Sequence, residues 1–174
     1  TEIYTFPYAT LFRSGVIGSD EDGMGLGVYY PGSQQIIDKE IIKLEGLLIP
    51  GFVNGHCHLE LSHMLGKVPR ETGLPEFLTM VMTDRSADQQ AIVDAMKEAD
   101  RKMFENGIQA VGDHVNTEIS AEVKAASPIH YHTFVEMLGF DPEVAEQRVD
   151  QARDVEFYFE PQRTSITPHA AYSC

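Results

Sequence analysis

The sequence predicts an α/β protein: a parallel sheet with helices outside, forming the first half of a β/α barrel, preceded by a small antiparallel β unit. Three observations predict it. After residue 47, short apolar strands alternate with helical stretches, the pattern of βα units. Polar residues gather where those strands end (His56 and His58, Asp113 and His114, Glu136, His169), and in a β/α barrel that rim carries active sites. Only four such strands are found, against the eight of a closed barrel of ~250 residues, so the chain reads as incomplete.

Residues 1–47 form the first unit. Apolar or alternating runs (Ile3–Phe6, Ala9–Phe12, Gly27–Tyr30, Gln35–Ile37, Ile41–Leu44) are separated by SGVIGSDEDGMG and YPGS, both rich in turn formers. The second unit, residues 48–174, opens as Leu47-Leu48-Ile49 leads through Pro50-Gly51 into Phe52–His56, expected as a buried strand with a polar end. Residues 75–84 predict a helix with Pro75 in its first turn. A longer helix is expected from Ala87 to Asn106: Ser86 and Gln89 match a capping box, and Gly107 sits where a C-terminal cap belongs. Its stripe of Ile92, Met96, Ala99 and Met103 reads as core packing rather than a cofactor surface. A strand over Ile108–Gly112 ends in Asp113-His114, a short helix covers Thr117–Ala126, and a strand over Ile129–Met137 runs into Gly139. Asp141-Pro142 supplies an N-cap and first-turn proline for a helix reaching Asp154, and Thr164–Thr167 is a strand ending at Pro168-His169.

Composition narrows the function classes. With 174 residues, 43% of them hydrophobic, the chain has enough material for one sizeable core. The formal net charge of −14, from 27 acidic against 13 basic residues, repels phosphate backbones and argues against nucleic-acid binding. Cys57 and Cys174 are far apart in sequence, a poor disulfide framework that fits a reducing compartment. No apolar run approaches the ~20 residues that span a bilayer, so no membrane association is expected. The stretch TEIYTFPYATLFRSG lacks the basic-then-apolar order of a signal peptide, which makes the cytoplasm the expected location.

The chemistry concentrates in PGFVNGHCHLELSH, residues 50–63. Residues two apart in a strand share a face, so His56 and His58 can present both imidazoles to one point, a natural start for a zinc or iron site. A bare H-x-H also occurs on many surfaces; its position after an apolar strand strengthens the metal reading. Cys57 should point into the wall as a buried small side chain. His63 lies beyond the strand end, near the rim. Glu60 either hydrogen-bonds within the site or orients its loop, and Glu136 is either a substrate contact or a structural carboxylate. Asp113 and His114 stand in the same position as Glu136. His130 and His132 form a second H-x-H, but at the start of their strand, where packing or hydrogen bonding is expected.

Residues Ile49–Glu60, read as I-P-G-F-V-N-G-H-C-H-L-E, resemble the P-G-F-(V/I)-N-x-H-x-H-L-E signature of the amidohydrolase superfamily, in its chlorohydrolase and aminohydrolase branch. Thr167–Ser173 is similar to that branch's S-P-H-A-P-Y-(S/T) segment after the fourth strand, and Thr72–Phe77 is similar to aminodeoxyfutalosine-deaminase-like members. The resemblance implies a (β/α)8 TIM barrel with a β-sandwich built from both chain ends, residues 1–47 being the sandwich's N-terminal part. It implies one divalent metal, zinc ahead of iron, with His56 and His58 as ligands. His169 matches a substrate contact beside the metal, and Glu60 and Glu136 join it as candidate substrate-binding residues. The family's third metal histidine, the glutamate of an H-x-x-E segment, a further histidine and a late aspartate would lie beyond residue 174. The implied reaction is attack by metal-bound hydroxide on an amidine-like carbon of an aminated purine-like nucleoside or related heterocycle, with ammonia leaving; a carboxylate shuttles protons. The substrate is then a small molecule, and the full-length protein is expected to be a homo-oligomer.

Two other readings compete. A non-catalytic half-barrel would act as a binding or structural module paired with another chain, since exposed strand edges disfavour a free monomer. A nucleophile at Ser173 or Cys174 with His169 is the weakest, because no G-x-S-x-G elbow or positioned base is visible.

Overall fold

The computed structural model describes residues 3–8, 12–19, 25–30, 32–38, 40–43, 45 and 49–174. The chain divides into two compact units, Thr1–Pro50 and Gly51–Cys174. Among the described residues no helix is long and apolar enough to cross a membrane.

In the first unit, β1 (Ile3–Tyr8), β2 (Phe12–Ser19) and β3 (Gly25–Tyr29) form an antiparallel sheet in that order. The antiparallel expectation holds, with two corrections. The segment read as turn formers from Ser14 onward is strand as far as Ser19, because β2 is central and bonds to both neighbours, with Gly18 opposite Gly27. Ladder bonds on both sides outweigh the entropic cost of glycine in a strand. The run Gln35–Ile37 is not strand: Gln34–Ile36 is a 3-10 turn closed by the Ile36 N–H on the Ser33 carbonyl (3.1 Å), and buried Ile36 packs against Val16 and Tyr29. Ala9–Leu11, Leu44 and Leu47-Leu48 lie outside the described residues.

The second unit is an α/β layer. Strands β4 (Phe52–Cys57), β5 (Ile108–Val115), β6 (His130–Met137) and β7 (Arg163–Pro168) form a parallel sheet in chain order. Helices α1 (Leu74–Asp84), α2 (Gln89–Glu105), α3 (Ala121–Ala126) and α4 (Ala145–Phe157) occupy the connections. The capping box at Ser86 is not formed. Asp88, two residues further on, is the N-cap of α2, its carboxylate accepting from the N–H groups of Gln90 and Ala91 at 3.0 and 3.2 Å. The helix stops as expected: Gly107 takes φ +83° and its N–H returns to the Phe104 carbonyl (2.9 Å). The predicted stripe faces the core, with Met96 fully buried among Leu59, Val111, Val123, Ile129 and Tyr131. A second cluster of Val115, Val135, Ala152 and Phe159 closes the layer beneath α4. Asp100, also buried, accepts from Ser127 Oγ and Tyr131 OH, both at 2.7 Å, and ties α2 to the neighbouring strand.

Strand β4 departs most from expectation. Its apolar sequence predicts burial, yet Phe52 and Val53 are 55% and 72% exposed. The reason is position: β4 is the sheet edge, with β5 its one partner among the described residues. Its register carries a bulge. Asn54 pairs with Val111 and Cys57 with Asp113, so three steps on β4 answer two on β5.

Candidate active site

The bulge sets the direction of the first pair of histidines. Along β5 the buried residues alternate, so Val111, Asp113 and Val115 face the helices while Gly112 and His114 face the other side. Asn54 and Cys57 are both opposite helix-facing residues, which a regular strand could not achieve at a spacing of three. The extra residue lets Cys57 pack against the core while His56 and His58 turn to the face carrying His114. Gly112 makes room for it: a Cβ there would lie 2.9 Å from the Gly55 carbonyl oxygen and 3.2 Å from the Phe134 ring.

Three imidazoles meet at the rim. The His56 and His58 ring centroids are 5.2 Å apart in an edge-on arrangement; His114 stacks on His56 at 4.3 Å and stands 5.6 Å from His58. Phe134 continues the stack behind His114 at 4.9 Å, and His132 behind Phe134 at 4.6 Å. Glu136, buried on β6, places Oε1 3.0 Å from His114 Nδ1. Burial holds the His58 imidazole below its ordinary pKa, reinforced by His56 and His114 and opposed by Glu136 and Asp113. A neutral imidazole with a free lone pair is the form that binds zinc or iron.

The fit to a metal is therefore partial. His56 and His58 suit two ligand positions, but His114 is stacked on His56 rather than converging with it. Among the described residues no group of three His, Cys, Asp or Glu side chains is arranged to hold an ion. A catalytic zinc ordinarily has three protein ligands and an open position.

Glu60 is buried in the 3-10 segment Leu59–Met64, accepting from Thr117 Oγ1 (2.9 Å) and the Asn116 N–H (3.4 Å), with Arg85 at 4.0 Å. Burial raises its pKa, while those hydrogen bonds and Arg85 pull the other way. His63 lies in the same segment, with Nε2 2.8 Å from the Arg85 carbonyl. His169 follows β7; its Nδ1 is 2.5 Å from Ser173 Oγ, its backbone N–H donates to the Met137 carbonyl, and its ring meets Tyr172 edge-on. His132 bonds Ser165 Oγ at 2.9 Å, and His130 is exposed.

Asp113 is at the rim in sequence but turned away from it. Fully buried beneath the sheet, it pairs with Lys124, whose Nζ is 2.5 Å from Oδ2. Sequence reading misses Lys124 altogether, since a lone lysine in a short helix looks like a solvated one. Cys57 lies beside this pair, and burial, with Asp113, pushes its thiol up to about 12, which suits an inert packing residue. A cleft of about 830 Å³ bounded by Val53, Gly112, His130, Phe134 and Arg163 lies toward the strand starts, where no cluster of site candidates gathers.

The model of the amidohydrolase family matches residues 47–174. Among curated protein sequences there is no match. Similar solved structures include Helicobacter pylori aminofutalosine deaminase in complex with methylthio-coformycin, at 19% identity and TM-score 0.74, covering 99% of this chain and 45% of that one. Guanine deaminase from C. acetobutylicum with bound guanine is 15% identical at TM-score 0.75, covering 99% and 46%. A mutant atrazine chlorohydrolase from Arthrobacter aurescens, complexed with zinc and atraton, is 15% identical at TM-score 0.73, covering 100% and 48%. The chain thus spans just under half the length of each, and at these identities the likeness is one of fold.

Proposed function

The chain belongs to the amidohydrolase family, and from that premise we propose that it is part of a metal-dependent hydrolase that deaminates an aminated, purine-like nucleoside or related heterocycle. The observation that carries this reading is the pair of imidazoles, His56 and His58, turned by a strand bulge to one face. A zinc or iron ion bound there would supply a Lewis acid that lowers the pKa of water toward ~7. A deaminase with guanine, another with a coformycin-type ligand, and a chlorohydrolase with zinc share the fold, which supports both the substrate class and the metal.

His169 serves as the substrate contact: Nδ1 is engaged by Ser173, so Nε2 is the nitrogen left to meet a ring atom. Glu136 acts through His114, and Glu60 by holding the Asn116–Thr117 loop, rather than by direct contact. The remaining ligand and the proton-shuttling glutamate and aspartate are expected from sequence beyond residue 174. We place the assembled protein in the cytoplasm as a homo-oligomer, a placement that accords with free thiols at Cys57 and Cys174.

The test is metal analysis of the purified chain and of any longer protein containing it, with a screen of aminated purines, their nucleosides and chlorinated triazines. Zinc or iron should be bound and lost in His56→Ala and His58→Ala, and ammonia should be released from an aminated heterocycle by the longer protein. Metal content unchanged in both variants would remove the pair from the site. A second reading, a non-catalytic half-barrel paired with another chain, is favoured by the exposed edge residues Phe52 and Val53; a longer protein with bound metal and turnover would eliminate it.

A further inference from the structure

Asp113 and Lys124 are charged side chains with no exposed surface, set between a sheet and its helices. Lys124 Nζ reaches Asp113 Oδ2 and also donates to Thr133 Oγ1 at 3.0 Å, and it lies over the Phe159 ring at 4.7 Å. Removing two charges from water seldom gains net stability over an apolar pair of the same volume. Stability alone therefore does not account for the arrangement, and its other contact does. Asp113 Oδ1 accepts the Leu59 N–H at 2.7 Å, a bond closed between residues 54 apart in sequence. Leu59 is fully buried and directly follows His58, whose backbone (φ −125°, ψ 78°) is neither helical nor extended and whose side chain caps nothing. On the other side of His58, Cys57 is in register with Asp113 across the β4–β5 ladder, just after the bulge.

We infer that Asp113, held in place by Lys124, is a positioning residue that clamps the backbone on the C-terminal side of His58 and so fixes the direction of its imidazole. The carboxylate does this from the opposite face of the sheet, touching neither metal nor substrate. Lys124 holds it: Oδ2 is ion-paired with the ammonium while Oδ1 accepts from the Leu59 amide. The metal readout below rests on the reading of His56 and His58 as ligands; the other readouts do not.

Two double variants of the 174-residue chain separate the clamp from the ion pair. Asp113→Asn with Lys124→Met removes both charges and keeps an oxygen for the Leu59 N–H. Asp113→Leu with Lys124→Met removes the oxygen as well. Both should fold, since each replaces the pair by neutral groups of similar volume. Amide hydrogen exchange at Leu59 should be slow in wild type and in the Asn/Met variant and accelerate about tenfold or more in Leu/Met; NMR shifts of the His58 ring should follow the same order. Zinc affinity should fall about tenfold or more in Leu/Met alone, the size usual for losing a partner that orients a ligand. Equal Leu59 exchange and equal His58 shifts in the two variants would overturn the inference. Should Leu/Met fail to fold, wild type still decides: a Leu59 amide exchanging as fast as that of Glu60 contradicts the clamp. Absence of zinc binding by wild type would count against the metal pair, while exchange and ring shifts continue to test Asp113.

Discussion

Gly112 shows how much a single residue constrains the rim. Its missing Cβ would stand 2.9 Å from a backbone oxygen of the bulge and 3.2 Å from Phe134, and the backbone cannot give way as a flexible side chain would. Gly112→Ala should therefore destabilise the second unit by about 1–3 kcal/mol, the usual cost of overpacking, and shift the His56 and His114 ring resonances together. Denaturant unfolding with NMR checks both; an alanine variant with unchanged stability and unchanged histidine shifts would show that the bulge has slack. At this scale the H-x-H motif is legible in sequence because two alternating residues share a face. The bulge is not, since nothing in Asn54-Gly55-His56 declares that β5 will advance by two while β4 advances by three.

Among the elements, α2 is the most legible, because an apolar stripe and a terminal glycine act within one or two turns. Its exposed face carries a charge network: Arg101 bonds both Glu98 and Glu105, and Lys102 bonds Glu98 at 3.1 Å. The Arg101 hydrogen bond first, and then Lys102, holds the Glu98 carboxyl down at about 2. A depressed carboxyl pKa stabilises the fold above the unfolded value, and that contribution is lost as pH falls toward the folded one. From neutral pH down to about 2, Glu98→Gln should thus lower stability above the ordinary value of 4.5, flatten the curve below it and converge with wild type at the acid end, with a neutral-pH difference that is small and shrinks as salt rises. Urea titrations through that range at two ionic strengths would show it; parallel acid limbs for wild type and variant would discount the network. The short elements are harder to place. The 3-10 segment Leu59–Met64 carries no periodic signal, and its position depends on Asp113 and on Glu60's partners Asn116 and Thr117.

For the molecule as a whole, the open question raised by the fold is its edge. Strand β4 presents exposed Phe52 and Val53 on an edge that no other strand covers among the described residues, the kind of surface on which another chain adds most readily. Val53→Lys should lower concentration-dependent association of the chain in light scattering, since a charge on an edge opposes strand addition. Association unchanged by the substitution would exonerate that edge. The alternation of strand and helix, the rim position of His56, His58, Glu136 and His169, and the family signature are all readable in the order of residues, because each is written within a few consecutive positions. Which way each rim residue turns is not. Asp113 and His114 are equal candidates in sequence; in the structure one lies under the sheet against Lys124 and the other stacks on His56. The sequence by itself determined the strands and long helices of the second unit and which strand ends carry clustered polar residues, since periodicity, turn formers and motifs are local. Only the tertiary structure decided the bulge, the buried ion pair and the partners of Glu60 and Glu136, because each depends on residues brought together from separate elements and a burial that no local pattern encodes.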